Sequence, residues 1–376
     1  MDRRSLLASA TAFAFAPTAL AQTEPVRVGM VLPLSGINSL SGTEVVNGIT
    51  LALEEFNAAG GRRIEIIRGD DAGVPTTGVS AAQKLIERDK VVAIIGSQTS
   101  AVTLAIGDVA RQAKIPVLSG GAVAAALTDR NVAGDPWVFR AIPGSDKQGP
   151  ESAYDAVNRL KLKKLGILHE NTTYGRSLAE SFSAFAKQAG AEIVRVDHYE
   201  QGEQDFYTVL ARMRSSNPDG VYLAGLIAEG AAILRQAHEM QFKVRFVGSG
   251  GMVTDSVIEL AGAQAAEGFA VSVMFEPNTT NPIGKSFGER YQKRFNIPAN
   301  TLSGLGYDAG RIVFDAIKRA PAMTGLAVRD AMLTSSVELV EGPPGTRVKF
   351  DNKGAASFKL GLAVVKNGRR ELLPYE

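Results

Sequence analysis

From Val26 onward the chain alternates short β-branched runs with segments of helical period, and this alternation constrains its fold more than any other feature. Residues 26–32, 64–67, 91–95 and 115–118 are apolar nearly throughout, as parallel strands covered on both faces have to be. Between the first two, Val45, Ile49, Ala52 and Phe56 fall at i, i+4, i+7 and i+11, a single buried stripe that stops at Gly60-Gly61. A second series then begins, with strands at 165–168, 193–196, 221–223 and 244–247 and an amphipathic segment after each of the first three. The expected architecture is α/β, two doubly wound parallel-sheet lobes, with the turn between them at residues 140–144. Residues 268–275 read as a strand that can cross back, and 281–295 and 301–320 as helices covering the first lobe. Glu341-Gly342-Pro343-Pro344-Gly345 is a sharp break, after which 348–350 and 360–365 read as a terminal hairpin around residues 351–354.

The first residues read as an address rather than as fold. Arg3 and Arg4 make a basic start, residues 8–20 form an apolar core, and Ala19-Leu20-Ala21 is an A-x-A cleavage site. The arginine pair resembles a twin-arginine signal, with Asp2 where a Ser or Thr usually stands, and the general Sec route is equally open. That core is too short for a membrane span and is broken by Pro17, and no later stretch reaches spanning length, so no span is expected after signal removal. The 376-residue chain has no cysteine, which excludes disulfides, zinc-thiolate sites and thiol nucleophiles. Its net charge of +2 comes with no basic run, so no nucleic-acid partner is expected.

The inventory for catalysis is thin. His169, His198 and His238 lie far apart, and there is no H-E-x-x-H, G-x-S-x-G elbow or Walker loop. Asp70-Asp71 leaves a strand as adjacent residues that point apart, which suits a loop or cap better than an acid/base dyad. Small hydroxyl residues after strands are more informative. Gly96-Ser97-Gln98-Thr99-Ser100 opens a helix, so Ser97, Thr99 and Ser100 stand where unpaired amides and the positive dipole end can receive a carboxylate. The neighbouring strand ends in Ser119-Gly120-Gly121-Ala122, bringing Gly121, Ala122 and Val123 to the same carboxyl edge, where open α/β sheets bind ligands. No catalytic residue, metal site or cofactor is expected.

These residues, with several other segments in order, give the whole mature chain a resemblance to the leucine/isoleucine/valine-binding proteins among type I periplasmic receptors. The other segments include residues 31–36, Asn57-Ala58-Ala59-Gly60-Gly61, Asp70-Asp71-Ala72, Phe139-Arg140, Gln148-Gly149, Tyr174-Gly175 and Ala266-Glu267-Gly268. The resemblance implies two lobes joined by three crossovers, lobe 1 being residues 22–142 plus 276–342 and lobe 2 residues 143–275 plus 343–376. It implies a periplasmic receptor that serves an ABC permease and its ATPase subunits and closes on its ligand by a hinge. In the family the carboxylate grip falls on Thr99, Ser100 and the turn Gly121 to Val123, a Tyr that closes over the ligand matches Tyr174, and a first-lobe Tyr falls opposite Ser41.

The amino end departs from that pattern. The family's acidic partner for the ligand's ammonium is matched by Gly250, an assisting Thr by Val123, and a cleft Tyr by Leu226. A buried ammonium without its partner costs about 2 to 5 kcal/mol, or about 30-fold to several thousand-fold in affinity. The sequence therefore favours a small carboxylate without the amine: a keto acid, an aromatic acid or a fatty acid. An ordinary branched-chain amino-acid receptor is the alternative, with Glu229 as a replacement acid near a helix start. An exported α/β hydrolase would need a nucleophile and base that no motif supplies, and a sensory ectodomain a membrane span. Intact-mass measurement of the exported protein should find residues 1–21 removed and Gln22 first; retention of the full chain would contradict the reading of the leader.

Overall fold

The computed structural model describes residues 24–276 and 279–374, so the expected leader lies outside the described residues. Among them the first sheet holds β1 (Val26–Leu32), β2 (Ile64–Asp70), β3 (Ile94–Gly96), β4 (Val117–Ser119) and β5 (Val138–Arg140), in the order β2-β1-β3-β4-β5. Every pair is parallel, and β1, an interior strand between β2 and β3, is buried except at Arg27. Its connections carry α1 (Ser39–Ala58), α2 (Pro75–Glu87), α3 (Ser100–Gln112) and the single turn α4 (Ala126–Asp129).

The chain enters the second lobe through α5 (Ser145–Tyr154). It continues through β6 (Lys164–Glu170), α6 (Thr173–Gln188), β7 (Glu192–Tyr199), α7 (Tyr207–Ser215), β8 (Gly220–Ala224), α8 (Ile227–Glu239) and β9 (Arg245–Gly248). Two short helices follow, α9 (Asp255–Ala261) and α10 (Ala263–Ala266), and then β10 (Ala270–Val273). Phe182 of α6 stacks on Tyr222 of β8 with ring centroids 3.9 Å apart, anchoring that face of the sheet.

From β10 the chain crosses back. Helices α11 (Pro282–Phe295), α12 (Thr301–Arg319) and α13 (Gly325–Leu333) return to the first lobe, where α12 packs along α1. Asn300 caps α12 by accepting the Ser303 amide (3.1 Å), while the Ser303 hydroxyl accepts the Asn300 amide (2.9 Å). Contact between α1 and α12 is made backbone to backbone. A Cβ on Gly48 would sit 2.0 Å from the Ser303 carbonyl oxygen, and one on Gly306 2.1 Å from that of Val45.

Two details of the last section differ from the sequence reading. The break at Glu341 to Gly345 packs on the second crossover, with the Gly342 amide on the Met274 carbonyl (2.8 Å), and the chain remains with the first lobe beyond it. Val348 bonds Val337, Phe350 meets Phe139 edge-on at 5.2 Å, and Gly354 and Ala356 exchange backbone bonds with Arg140 of β5. The chain leaves the first lobe after Ala356, not after Gly342; Leu360 then reaches Glu151 of α5 (2.8 Å). A Pro-Pro pair stops regular structure but does not decide which core the next apolar residues join. The terminal hairpin is correspondingly later, β11 (Gly361–Lys366) and β12 (Arg369–Leu372), turning at Asn367-Gly368. It adds antiparallel to β10, so the second sheet, in the order β12-β11-β10-β9-β8-β6-β7, is parallel from β10 through β7 and antiparallel at its end.

Gly306→Ala should destabilise the protein by about 1–3 kcal/mol through overpacking, against a helix-propensity gain of about 1 kcal/mol. Urea unfolding checks this; unchanged or raised stability would contradict the close helix contact.

Candidate functional site

The carboxyl ends of the strands of both sheets face a common cavity, with Ile142 of the first crossover and Met274 of the second at its back. About 80 Å³ of it is open to the centres of water-sized molecules, room for a compact small molecule.

On the first-lobe wall Gln98, Thr99 and Ser100 bring β3 into α3. Thr99 is the residue before the helix, yet its hydroxyl caps nothing: it is buried in the cavity wall with no hydrogen bond among the described residues, as is the Gln98 amide oxygen. Ser100 is buried and its hydroxyl accepts the Ala124 amide at 3.3 Å, tying the two turns together. Gly121 and Val123 line the cavity, with Gly121 bare of a side chain where the Gln98 amide lies against it. Ser41 also reaches the cavity, with its hydroxyl on the Asn38 carbonyl (2.8 Å).

Two candidates from this cluster have structural partners instead. The Ser97 hydroxyl donates to the carboxylate of Asp71 at 2.7 Å, and Asp71, fully buried, also accepts the Gly73 amide at 2.7 Å. Burial pushes the Asp71 carboxyl above its ordinary range. Ala122 is fully buried with its amide on the Ser119 hydroxyl at 2.8 Å, so it holds the turn rather than lining the cavity. Asp70 points away from Asp71 and gathers the amides of Leu34 (2.9 Å) and Ala72 (2.8 Å), a loop-fixing role and no dyad.

On the second-lobe wall the Tyr174 hydroxyl donates to Ser249 Oγ (3.0 Å) and accepts the Gly251 amide (3.1 Å), while Ser249 bonds the Gly225 carbonyl (3.2 Å). One phenol thus joins the turns after β8 and β9 to the start of α6, and burial pushes its acidity to a pKa of about 12. Leu226 and Gly250 line the cavity, and Gly250 brings no charge to it. A Cβ there would meet nothing nearer than Gln148 Oε1 at 3.6 Å, so packing does not demand a glycine.

Glu229 does not supply the missing acid at this cavity. Its Oε1 accepts the Gly202 amide at 2.9 Å, and it borders a neighbouring chamber walled by Ile37, Leu40 and Leu260. Sequence reasoning missed Glu170. This last residue of β6 is 1 % exposed, lines the main cavity, and has no hydrogen bond to either carboxylate oxygen among the described residues. Burial first, and the charge of Glu229 second, push its pKa up to about 7. The signal was present as an acidic residue ending an otherwise apolar strand at the ligand edge. The preference for a ligand without an amine rested on the joint loss of the acid matched by Gly250 and the Thr matched by Val123; Glu170 is an acid at the cavity that this reading did not weigh.

Comparison with known proteins places the architecture. The family described as periplasmic binding protein matches residues 25–370. The chain belongs to this family. An amino acid binding protein of Pseudomonas aeruginosa is 31% identical over 271 residues, covering 71% of each chain. The leucine binding protein LivK of Thermotoga maritima is 28% identical with a TM-score of 0.84, covering 93% of this chain and 98% of that one. The substrate binding protein LivJ of the branched-chain amino acid transporter of Streptococcus pneumoniae, solved with isoleucine, is 25% identical with a TM-score of 0.85, covering 93% and 99%. Family and relatives are binding proteins, so this chain is a binder of solutes and not an enzyme.

Ser97→Ala should lower stability by about 1–3 kcal/mol, because it leaves a buried carboxylate short of a donor. It should leave ligand affinity within about threefold, less than the tenfold of a lost 1.4 kcal/mol contact. Chemical denaturation and calorimetry separate the two roles; a large affinity loss with no stability loss would return Ser97 to the ligand.

Proposed function

We propose that this protein is the periplasmic receptor of an ABC importer and captures a small carboxylate-bearing solute by closing its two lobes over it. The observation that carries the reading is Thr99 at the start of α3, a residue that lines the interlobe cavity and whose buried hydroxyl has no hydrogen bond among the described residues. First-turn amides of a helix have no partners within it and carry the positive end of the dipole, so an acid placed there gains hydrogen bonds from both sources. Ser100 and the turn at Gly121 and Val123 form the rest of that grip, and Tyr174 and Leu226 close over the ligand's body from the other lobe. The relatives' names, amino acid and leucine binding proteins, support an acid of this size. Closure follows from differential affinity: a ligand that touches both walls stabilises the closed form, and one that touches a single wall does not. The closed form would be what a permease pair and its ATPases recognise.

A thermal-shift panel of amino, keto, aromatic and short fatty acids at pH 7 tests this. At least one acid should raise stability by about 2.7 kcal/mol at a concentration 100 times its Kd, and its methyl ester should fail to do so. Thr99→Val should weaken that acid about tenfold or more, the size expected for a lost hydrogen bond to a charged group. No response to any acid, or equal binding of acid and ester, would overturn the reading.

A further inference from the structure

We infer that Glu170 is the cation subsite of this cleft, so the solute is a zwitterion whose amine is held at the end of β6 rather than beside Gly250. The inference rests on the carboxylate-receptor reading above and adds its opposite pole. Its first support is the stranding of Glu170. The side chain is almost wholly buried, borders the cavity, and lacks a hydrogen bond to either oxygen among the described residues, although buried polar groups are otherwise nearly always satisfied. A second support is the charge around it. Glu229 on α8 adds a like charge, Tyr174 on α6 and Tyr199 on β7 face it with neutral phenols, and His169 turns its Nδ1 to the Glu170 carbonyl (2.9 Å). None of these groups supplies positive charge, so the subsite is complete only with a cation from the ligand. Thirdly, the two ends of the cavity have opposite character. Thr99 at α3's amino end lines the first-lobe side and Glu170 the second, each with its polar oxygens buried just behind the wall, so a small side-chain turn sets an α-amino acid's carboxylate and ammonium against complementary partners.

The pairing has a proton signature. Free Glu170, with a pKa near 7, is about half protonated at pH 7. An ammonium beside it lowers that pKa, so binding releases up to about half a proton; an anion without an amine raises it, so binding takes protons up. The test is calorimetry at pH 7, in two buffers of different ionisation heat, on the mature protein. The probes are leucine, valine and phenylalanine, each paired with the 2-oxo acid of the same skeleton. The expected result is that an amino acid binds more tightly than its partner and releases protons. Glu170→Gln should then weaken the amino acid about 30-fold or more, change the 2-oxo acid less than about threefold, and abolish the proton release. Since this variant removes a buried charge, it should melt no lower than the parent at pH 8. If it fails to fold, the sign of proton exchange in the parent still decides. Tighter binding of the 2-oxo acids with proton uptake would overturn the inference and leave the receptor reading standing. Binding of no acid, in pairs or panel, would overturn both.

Discussion

Burial strips Glu170 of water, and among the described residues neither carboxylate oxygen has a hydrogen bond, so its charged form is disfavoured until a cation reaches it. Much of the surrounding structure keeps the condition in place. Strand β6 is hydrogen-bonded between β7 and β8, so its last residue is delivered to the cleft by a ladder rather than by a loop. Thr172 caps α6 by accepting the Gly175 amide, and the same helix start carries Tyr174, whose hydroxyl fixes Ser249 and Gly251. Opposite these, Thr99 leaves its hydroxyl unspent on capping. Each wall thus keeps a buried polar group without a hydrogen bond among the described residues, and the proposed two-pole solute would complete both.

The connections between lobes explain how such walls can part and meet. Arg140, at the end of β5 and buried, donates to the Val123 carbonyl (2.9 Å) and pairs with Asp146 of α5 (3.3 Å). The turn that lines the first-lobe wall is thereby tied to the first crossover. Near the second, Arg370 of β12 meets Glu276 at 2.6 Å, while Asp308 and Glu341 lie buried where α12 passes the break that packs on it. Burial pushes the carboxyls of both Asp308 and Glu341 above their ordinary range, while Asp308 pairs with Arg311 at 3.2 Å and accepts the Val340 amide at 2.9 Å. Hinges of this kind concentrate the backbone change in a few residues and let each sheet move as a body.

Much of this architecture is legible in the amino-acid sequence. Hydrophobic period locates the strands of both series and the α1 stripe; two-sided burial keeps β1, β6 and β8 largely apolar, while the edge strands β2 and β7 are part-buried and keep only an apolar core segment. The hydroxyl cluster at 97–100 is visible because glycine, hydroxyls and a helix start occur together. Within it, sequence does not tell Ser97 from Thr99. They differ by a neighbour distant in sequence, Asp71, which occupies one hydroxyl and leaves the other free. The third crossover is misplaced by sequence for a similar reason, since the affinity of residues 343–356 for the first lobe lies in contacts with Phe139, Arg140 and Val337. Glu170 is hidden because the family's position for the acid points elsewhere. That position, Gly250, follows the end of β9, whereas the acid present stands at the end of β6, two places along in the same sheet.

The most direct measurement is a crystal structure of the mature protein purified with its native cargo and no added ligand. The account predicts density between the lobes for one small zwitterion, its carboxylate at Thr99 and the first turn of α3 and its amine within hydrogen-bonding distance of Glu170. Density for an acid that leaves both Glu170 oxygens unbonded, or for an amine held beside Gly250 instead, would contradict it.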